Sequence, residues 1–506
     1  MKKKAAYLIA QHWDALIASA AAVLTIYYLT RFSGIGLSPD SIAYSSAAIN
    51  LLAKGALVDF NNLPLVDFPA GYPFFLAFFS SLFHSNPITI APLLNSVLYV
   101  GIILMSSVLM QGFENNARWY RVAVLSILAT SPCLWEVYEM LWSETWFIFL
   151  VLLFMLVWRW YSKRQDIISL MVFALIAALA FVTRFAGITI VATGVTLILF
   201  DGAMGVAKKT KHILLFVLAA VSLVVWNLLH NHYAAGTLAG VREKALRTIG
   251  DNVLDFGTVI GSWLPFLNNR PLLAAIVFIC ILLMAIVVVL YRFLQQQFYH
   301  RNETVLALFF VVYAVFIIAV SSVSRFETLS SRLLSPIYIP FILVPSFWLL
   351  GFIKQKNKLQ KTGVIVLLVC VYAATMFHQY QQNAQNWEGI ADAGIPGYSE
   401  AQWTDSPLVK YINEHKSLFN QPIYADANDG LFYLTGLQAL PLPHKEVAKE
   451  KTKLLQNPQL IVVWFNDGEN TDLIDISFIQ SKKQLIKRLE FSDGAIYFFA
   501  NPIARP

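Results

Sequence analysis

The sequence predicts a polytopic α-helical membrane protein of about eleven spans, with one short interfacial helix and a small C-terminal α/β domain. Three observations predict it. Of 506 residues, 58% are hydrophobic and only 13% charged, whereas soluble globular chains carry roughly 25% charge. Apolar runs of about 20 residues, the length that crosses a bilayer, recur along the first three quarters of the chain. The basic residues cluster in the short segments between those runs. This composition excludes an ordinary soluble enzyme and a disordered chain, which would need low hydrophobicity. Three cysteines, Cys133, Cys280 and Cys370, each lie in an apolar segment. They read as small core residues rather than a disulfide or metal set. The net charge of +7 is read as topological, and no nucleic-acid partner is expected.

Candidate spans fall near 13–31, 89–110, 122–138, 146–162, 167–183, 185–200, 212–229, 271–290, 304–320, 333–352 and 362–378. The run 72–83 starts at Pro73, stops at His84 and is too short to cross, so it is expected to lie at the interface. Basic loops test this count. Lys2–Lys4, Arg118 and Arg121, Arg159 to Arg164, Lys208 to Lys211, Arg292 and Arg301, and Lys354 to Lys361 all share one side if there are eleven spans and 72–83 stays out of the membrane. The positive-inside rule makes that side cytoplasmic and the N-terminus with it. No small-x-small site follows the first apolar run, so that run is expected to be a retained span rather than a cleaved signal.

The outer face then carries a first loop (33–72), a turn near 136–144, a loop near 230–270 and a tail. The tail holds 15 of the 30 acids but 11 of the 37 bases, a soluble composition. The chain divides into a transmembrane domain, 1–378, and an extracytoplasmic α/β domain, 379–506. Asp405-Ser406-Pro407 offers a cap followed by Pro at the first helical position, opening a helix to about His415. Segments 422–425, 460–465 and 495–500 read as strands, and Asp493-Gly494 marks a hairpin.

Polar residues on the outer side need explanations. Ser38 or Asp40 can cap a helix that runs to about Lys54 and stops at Gly55. At the bilayer edge Asp40 can also take a proton from an incoming hydroxyl; Asp59 and Asp67 are weaker acid candidates. Glu144, in Trp142-Ser143-Glu144, suits the first turn of a helix. Arg184 breaks an apolar stretch, and an outer arginine runs against the positive-inside bias. Arg325 and Glu327 can pair, whereas Arg332 at the mouth of a span suits a phosphate. Arg242 adds a further outer cation. Together Asp40, Glu144, Arg184, Arg242, Arg325 and Arg332 fall on one face. Acids and arginines at the mouth of an apolar bundle suit a lipid-phosphate donor. Its tail would lie in the bilayer, arginines would hold the leaving phosphate, and a carboxylate would deprotonate the acceptor.

The order and sidedness of these motifs resemble the C-type glycosyltransferase superfamily, which uses polyprenyl-phosphate sugars. Similar members are bacterial relatives of protein mannosyltransferases and of the aminoarabinose transferase of lipid A. Ser38-Pro39-Asp40-Ser41-Ile42-Ala43-Tyr44, Phe68-Pro69-Ala70-Gly71-Tyr72-Pro73, Trp142-Ser143-Glu144, Thr183-Arg184-Phe185 and Arg332-Leu333 with Pro336 carry the resemblance across residues 1–350. It implies Asp40 as catalytic base, with Arg184, Arg332 and Arg325 on the donor phosphate. It also implies Tyr44, Tyr72, Glu144 and Arg242 as substrate contacts. The partners implied are a polyprenyl-phosphate sugar, a glycan, lipid or protein acceptor, and the bilayer. Ser41 stands where many members place a second acid, so a divalent metal is left unassigned and no cofactor is expected. The implied reaction is an inverting transfer that releases polyprenyl phosphate.

Three other classes predict different patterns, and of these a non-enzymatic anchoring protein would not need Asp40 and the outer arginines together. A transporter or flippase for lipid-linked glycans would carry its functional charges near the midplane, in broken helices. A ligase would place its large outer piece between late spans. Here the charges sit at the outer rim and the large piece is C-terminal.

Overall fold

The computed structural model describes residues 2–112, 118–240, 244–295, 301–325, 327–354, 356–465 and 472–502. Among them are eight helices long and apolar enough to cross a membrane: His12–Thr30, Pro87–Leu109, Ser143–Arg164, Val206–Ala235, Pro271–Leu294, Asn302–Val323, Ser331–Ile353 and Lys358–Ala393. The other three expected spans are shorter. Ile167–Thr183 and Phe185–Leu199 are apolar helices below that length. The expected span 122–138 is two helices, Arg118–Ala129 and Pro132–Tyr138. Pro132 cannot donate a helical hydrogen bond, and Ser131 caps the second piece by accepting from the Leu134 amide at 3.3 Å. Helix Lys358–Ala393 continues past position 378 toward the tail.

The connections expected on the outer side hold three more helices. Pro39–Lys54 ends at Gly55 in the left-handed conformation, as the sequence indicates. Gly71–Phe83 is the short helix expected at the interface, closed by a left-handed His84. Ile249–Trp263 was not anticipated. Thr248 caps it by accepting from the Asp251 amide at 3.3 Å. Its buried Asn252, Phe256, Val259, Ile260 and Trp263 follow a helical period that was legible in the sequence. Of the cysteines only Cys133 is buried; Cys280 and Cys370 face outward.

The C-terminal sheet has the order β2-β1-β3-β5-β4. Its strands are β1 Ile423–Ala425, β2 Leu440–Pro441, β3 Gln459–Phe465, β4 Gln484–Phe491 and β5 Gly494–Ala500. Strand β1 runs parallel to β2 and β3, and β5 is antiparallel to β3 and β4. The expected hairpin joins β4 to β5, pairing Phe491 with Gly494. Helix Pro407–Glu414 opens at Ser406, whose hydroxyl accepts from the Val409 amide at 3.0 Å. Strands β2 and β4 were missed. The first is two residues long, and the second, half exposed with Lys487 and Arg488, lacks an apolar run.

Two of the four buried apolar clusters among the described residues position the site. One fills the bundle. The other joins Leu37, Ile42, Phe60 and Tyr72 of the outer connections to Trp403, Leu431 and Ile461 of the C-terminal domain. The tail is thus packed onto the first outer loop. Phe60 stacks on Phe432 at 4.9 Å. Tyr398 donates its amide to the Leu37 carbonyl at 2.8 Å. Gln438 donates to the Phe60 carbonyl at 2.8 Å.

Candidate active site at the outer rim

Two close approaches of backbone bring the candidate residues together. The Gly36 amide donates to the Glu139 carbonyl at 2.8 Å, and the Leu141 amide donates to the Gly36 carbonyl at 3.0 Å. A Cβ on Gly36 would lie 2.1 Å from the Met140 sulfur, so a side chain here would force the Met140 side chain to move. This seam sets Asp40 beside Glu144. At Gly71 a Cβ would lie 2.6 Å from the Val182 carbonyl oxygen. The absent side chain lets the short helix lie against the break at Arg184.

Ser38, not Asp40, caps the first-loop helix: Ser38 holds the N-cap position, and its amide donates to the Ser41 hydroxyl at 3.0 Å. Asp40 falls one position into the first turn, and its carboxylate meets the Arg332 guanidinium. From Nε the same guanidinium donates to Glu144 Oε1 at 2.7 Å. Arg184 Nη1 approaches that oxygen at 2.7 Å and donates to the Ser143 hydroxyl at 2.9 Å. Arg184 reaches it from an extended backbone (φ −145°, ψ 141°) that ends helix Ile167–Thr183. Trp142 fixes the other side. Its indole N–H donates to Ser38 Oγ at 2.8 Å, and the Arg332 guanidinium lies 4.2 Å from its ring centroid, a cation–π distance. Side-chain exposure falls from 24% at Asp40 through 17% at Arg184 and 13% at Arg332 to 0% at Glu144. Asp40 is therefore the most accessible member.

Tyr44 and Tyr72 form the floor. Their rings meet edge to face at 5.2 Å, and the Tyr44 hydroxyl lies 3.3 Å from that of Ser143. Burial, with the nearby Asp40 charge adding, pushes the Tyr44 phenol well above its usual range, so it acts as a neutral hydroxyl. The C-terminal domain adds a residue with no sequence signal. Asp429 accepts from the Tyr398 hydroxyl at 2.9 Å, and burial, with Asp40 also contributing, raises its carboxyl pKa.

Arg325 pairs instead with Asp472 of the C-terminal domain. Glu327 comes within 4.0 Å of Arg332. Asp59 serves its own turn, accepting from the amides of Asn61 and Leu63 at 2.8 and 2.9 Å. Arg242 lies outside the described residues. Among those described, no three His, Cys, Asp or Glu side chains converge as a metal site. Trp142 and Ser143 belong to the Trp142-Ser143-Glu144 motif, and their structural roles follow only from the folded contacts.

The fold is that of a polytopic helical membrane protein with a small C-terminal sheet. The comparisons with solved structures show that fold. ArnT from Cupriavidus metallidurans, bound to undecaprenyl phosphate, superposes with a TM-score of 0.57 at 11% identity, covering 96% of this chain and 97% of that one. Its apo state gives 0.57 at 13%, covering 97% and 98%. The Archaeoglobus fulgidus oligosaccharyltransferase tethered with an acceptor peptide gives 0.54 at 12%, covering 98% of this chain and 74% of that one. No protein-family model matches the sequence, and no curated protein matches it.

Proposed function

We propose that this protein transfers one sugar from a polyprenyl-phosphate-linked donor to an acceptor hydroxyl at the outer rim, with inversion. One observation carries the reading: Arg332 bonds Asp40 and Glu144 at once, with Arg184 on the same Glu144 oxygen. Glu144 acts as the buried brace that aims both guanidinium groups. A donor phosphate arriving at the rim competes with Asp40 for Arg332 by charge-assisted hydrogen bonds. The displaced carboxylate is then available to the acceptor. The acceptor oxygen attacks the anomeric carbon as the bond from that carbon to the phosphate oxygen breaks. Its proton passes to Asp40, and the leaving polyprenyl phosphate keeps the bonding pair, stabilised by Arg332 and Arg184. The undecaprenyl phosphate bound by ArnT supports a polyprenyl-phosphate donor.

In this reading residues 1–378 form the catalytic membrane domain, and 379–506 an extracytoplasmic domain over its mouth. The positive-inside rule supports a cytoplasmic N-terminus in the cytoplasmic membrane. The test is release of polyprenyl phosphate from a panel of polyprenyl-phosphate sugars by purified protein. Asp40→Asn is expected to lower transfer by roughly 10²- to 10⁴-fold while polyprenyl phosphate still binds. Wild-type turnover in that variant overturns the assignment.

A further inference from the structure

A cavity of about 810 Å³ opens between the outer end of the bundle and the C-terminal domain. That volume fits small-molecule sites, roughly 300–1,000 Å³. Its wall includes Pro39 and Ser331, the chain neighbours of Asp40 and Arg332, although neither of those charged residues lines it. The cavity therefore adjoins the proposed reaction centre from one side.

The lining chemistry is selective. In a chain of net charge +7, the cavity wall has no Lys, Arg or His among the described residues, and it carries two acids, Glu136 and Glu139. No cation in that lining would pair with a phosphate. A lipid chain would cover those acids and the amides of Gln382, Gln385 and Asn386 without satisfying their remaining hydrogen-bonding capacity, which is costly. Gln382 donates to the Ser262 carbonyl at 3.3 Å, and Asn386 donates to Glu139 at 3.4 Å. Among the described residues their amide oxygens accept no hydrogen bond, leaving them open to hydroxyl donors. Trp142, Trp263 and Trp403 also belong to the wall. Amides and carboxyl groups, without cations, match a polyhydroxylated ring.

We propose that this cavity seats the acceptor, and that the acceptor is a saccharide without anionic groups. The inference rests on the transferase reading and names its acceptor class. The donor phosphate stays on the arginine side, and the acceptor approaches Asp40 from the amide side.

The test uses full-length protein in lipid nanodiscs and saturation-transfer NMR with three probes: maltotriose, deacetylated chitotriose and trigalacturonate. Saturable binding of either of the first two, but not of trigalacturonate, is expected, and it should persist with polyprenyl phosphate bound. Gln382→Leu and Asn386→Leu should each weaken that binding roughly three- to tenfold and leave polyprenyl-phosphate binding unchanged, which also shows the variants are folded. Three results overturn the proposal: no saturable binding of maltotriose or chitotriose, equal binding of trigalacturonate, or wild-type affinity in both variants. Displacement by polyprenyl-phosphoryl glucose but not by polyprenyl phosphate also overturns it, by making the cavity the donor sugar's seat. If wild-type protein binds polyprenyl phosphate but no oligosaccharide, only the acceptor inference fails. If it does not bind polyprenyl phosphate, the transferase reading fails as well.

Discussion

Glu144 and Arg332, 188 positions apart in the chain, meet through a 2.7 Å hydrogen bond from Nε to Oε1. Because Arg184 reaches the same oxygen at 2.7 Å, one fully buried carboxylate orders two cations. Asp40 completes the set from a more open position. Two acids face two arginines here, and Glu327 approaches Arg332 at 4.0 Å from the exposed side. An anion entering at Asp40 finds both arginines already aimed.

Removing the brace should be costly to the fold. Glu144→Gln leaves two mostly buried guanidinium groups facing a neutral amide. Breaking a buried pair costs about 3 kcal/mol or more. The variant is expected to unfold at clearly lower denaturant concentration in detergent. An unchanged midpoint would show that solvent already screens the cluster.

Arg332 is expected to govern donor affinity. Arg332→Ala should raise the apparent KM for the lipid donor. Arg332→Lys should fall between, since a point charge cannot serve Asp40 and Glu144 as the planar fork does. Steady-state kinetics at varied donor concentration decide this, and an unchanged KM in the alanine variant removes Arg332 from the phosphate site.

Arg325 should behave differently. Its pair with Asp472 is partly exposed, at 29% and 42%, and such pairs contribute about 0–1 kcal/mol. Arg325→Ala is expected to keep the donor KM and nearly all stability. A raised KM would return Arg325 to the donor contacts implied by the family resemblance.

The close approach at Gly71 sets a steric limit. Gly71→Ala would place a methyl 2.6 Å from the backbone oxygen of Val182, which cannot swing aside as a side chain can. A loss of about 1–3 kcal/mol is expected, together with reduced transfer as the helix moves off Arg184. Equilibrium unfolding and turnover of the purified variant check both effects.

Sidedness is tested by reporters. An activity reporter fused after position 378 should register outside the cytoplasm, and one at the N-terminus should register inside. The reverse pattern would contradict the topology drawn from the basic loops.

The apolar runs, the short helix Gly71–Phe83 and the first-loop helix to Lys54 were legible because each depends on local periodicity, length and end signals. Helix Ile249–Trp263 had such a signal and was overlooked. The break at Thr130-Ser131 was marked by Pro132 but hidden within an apolar run. In the tail, Ser406-Pro407 and Asp493-Gly494 announced their helix and hairpin, whereas exposed β4 had no apolar run to announce it.

By itself the sequence determined that this is a membrane protein and that Asp40, Glu144, Arg184 and Arg332 belong among the candidates. Composition and spacing suffice for that, because burial in a bilayer imposes them locally. Only the tertiary structure decided that Arg332 takes Asp40 and Glu144, that Arg325 turns to Asp472, and that an amide-lined cavity borders the rim. Each of those contacts joins segments far apart in the chain, and a side chain's partner is set by where distant backbones pack rather than by its sequence neighbours.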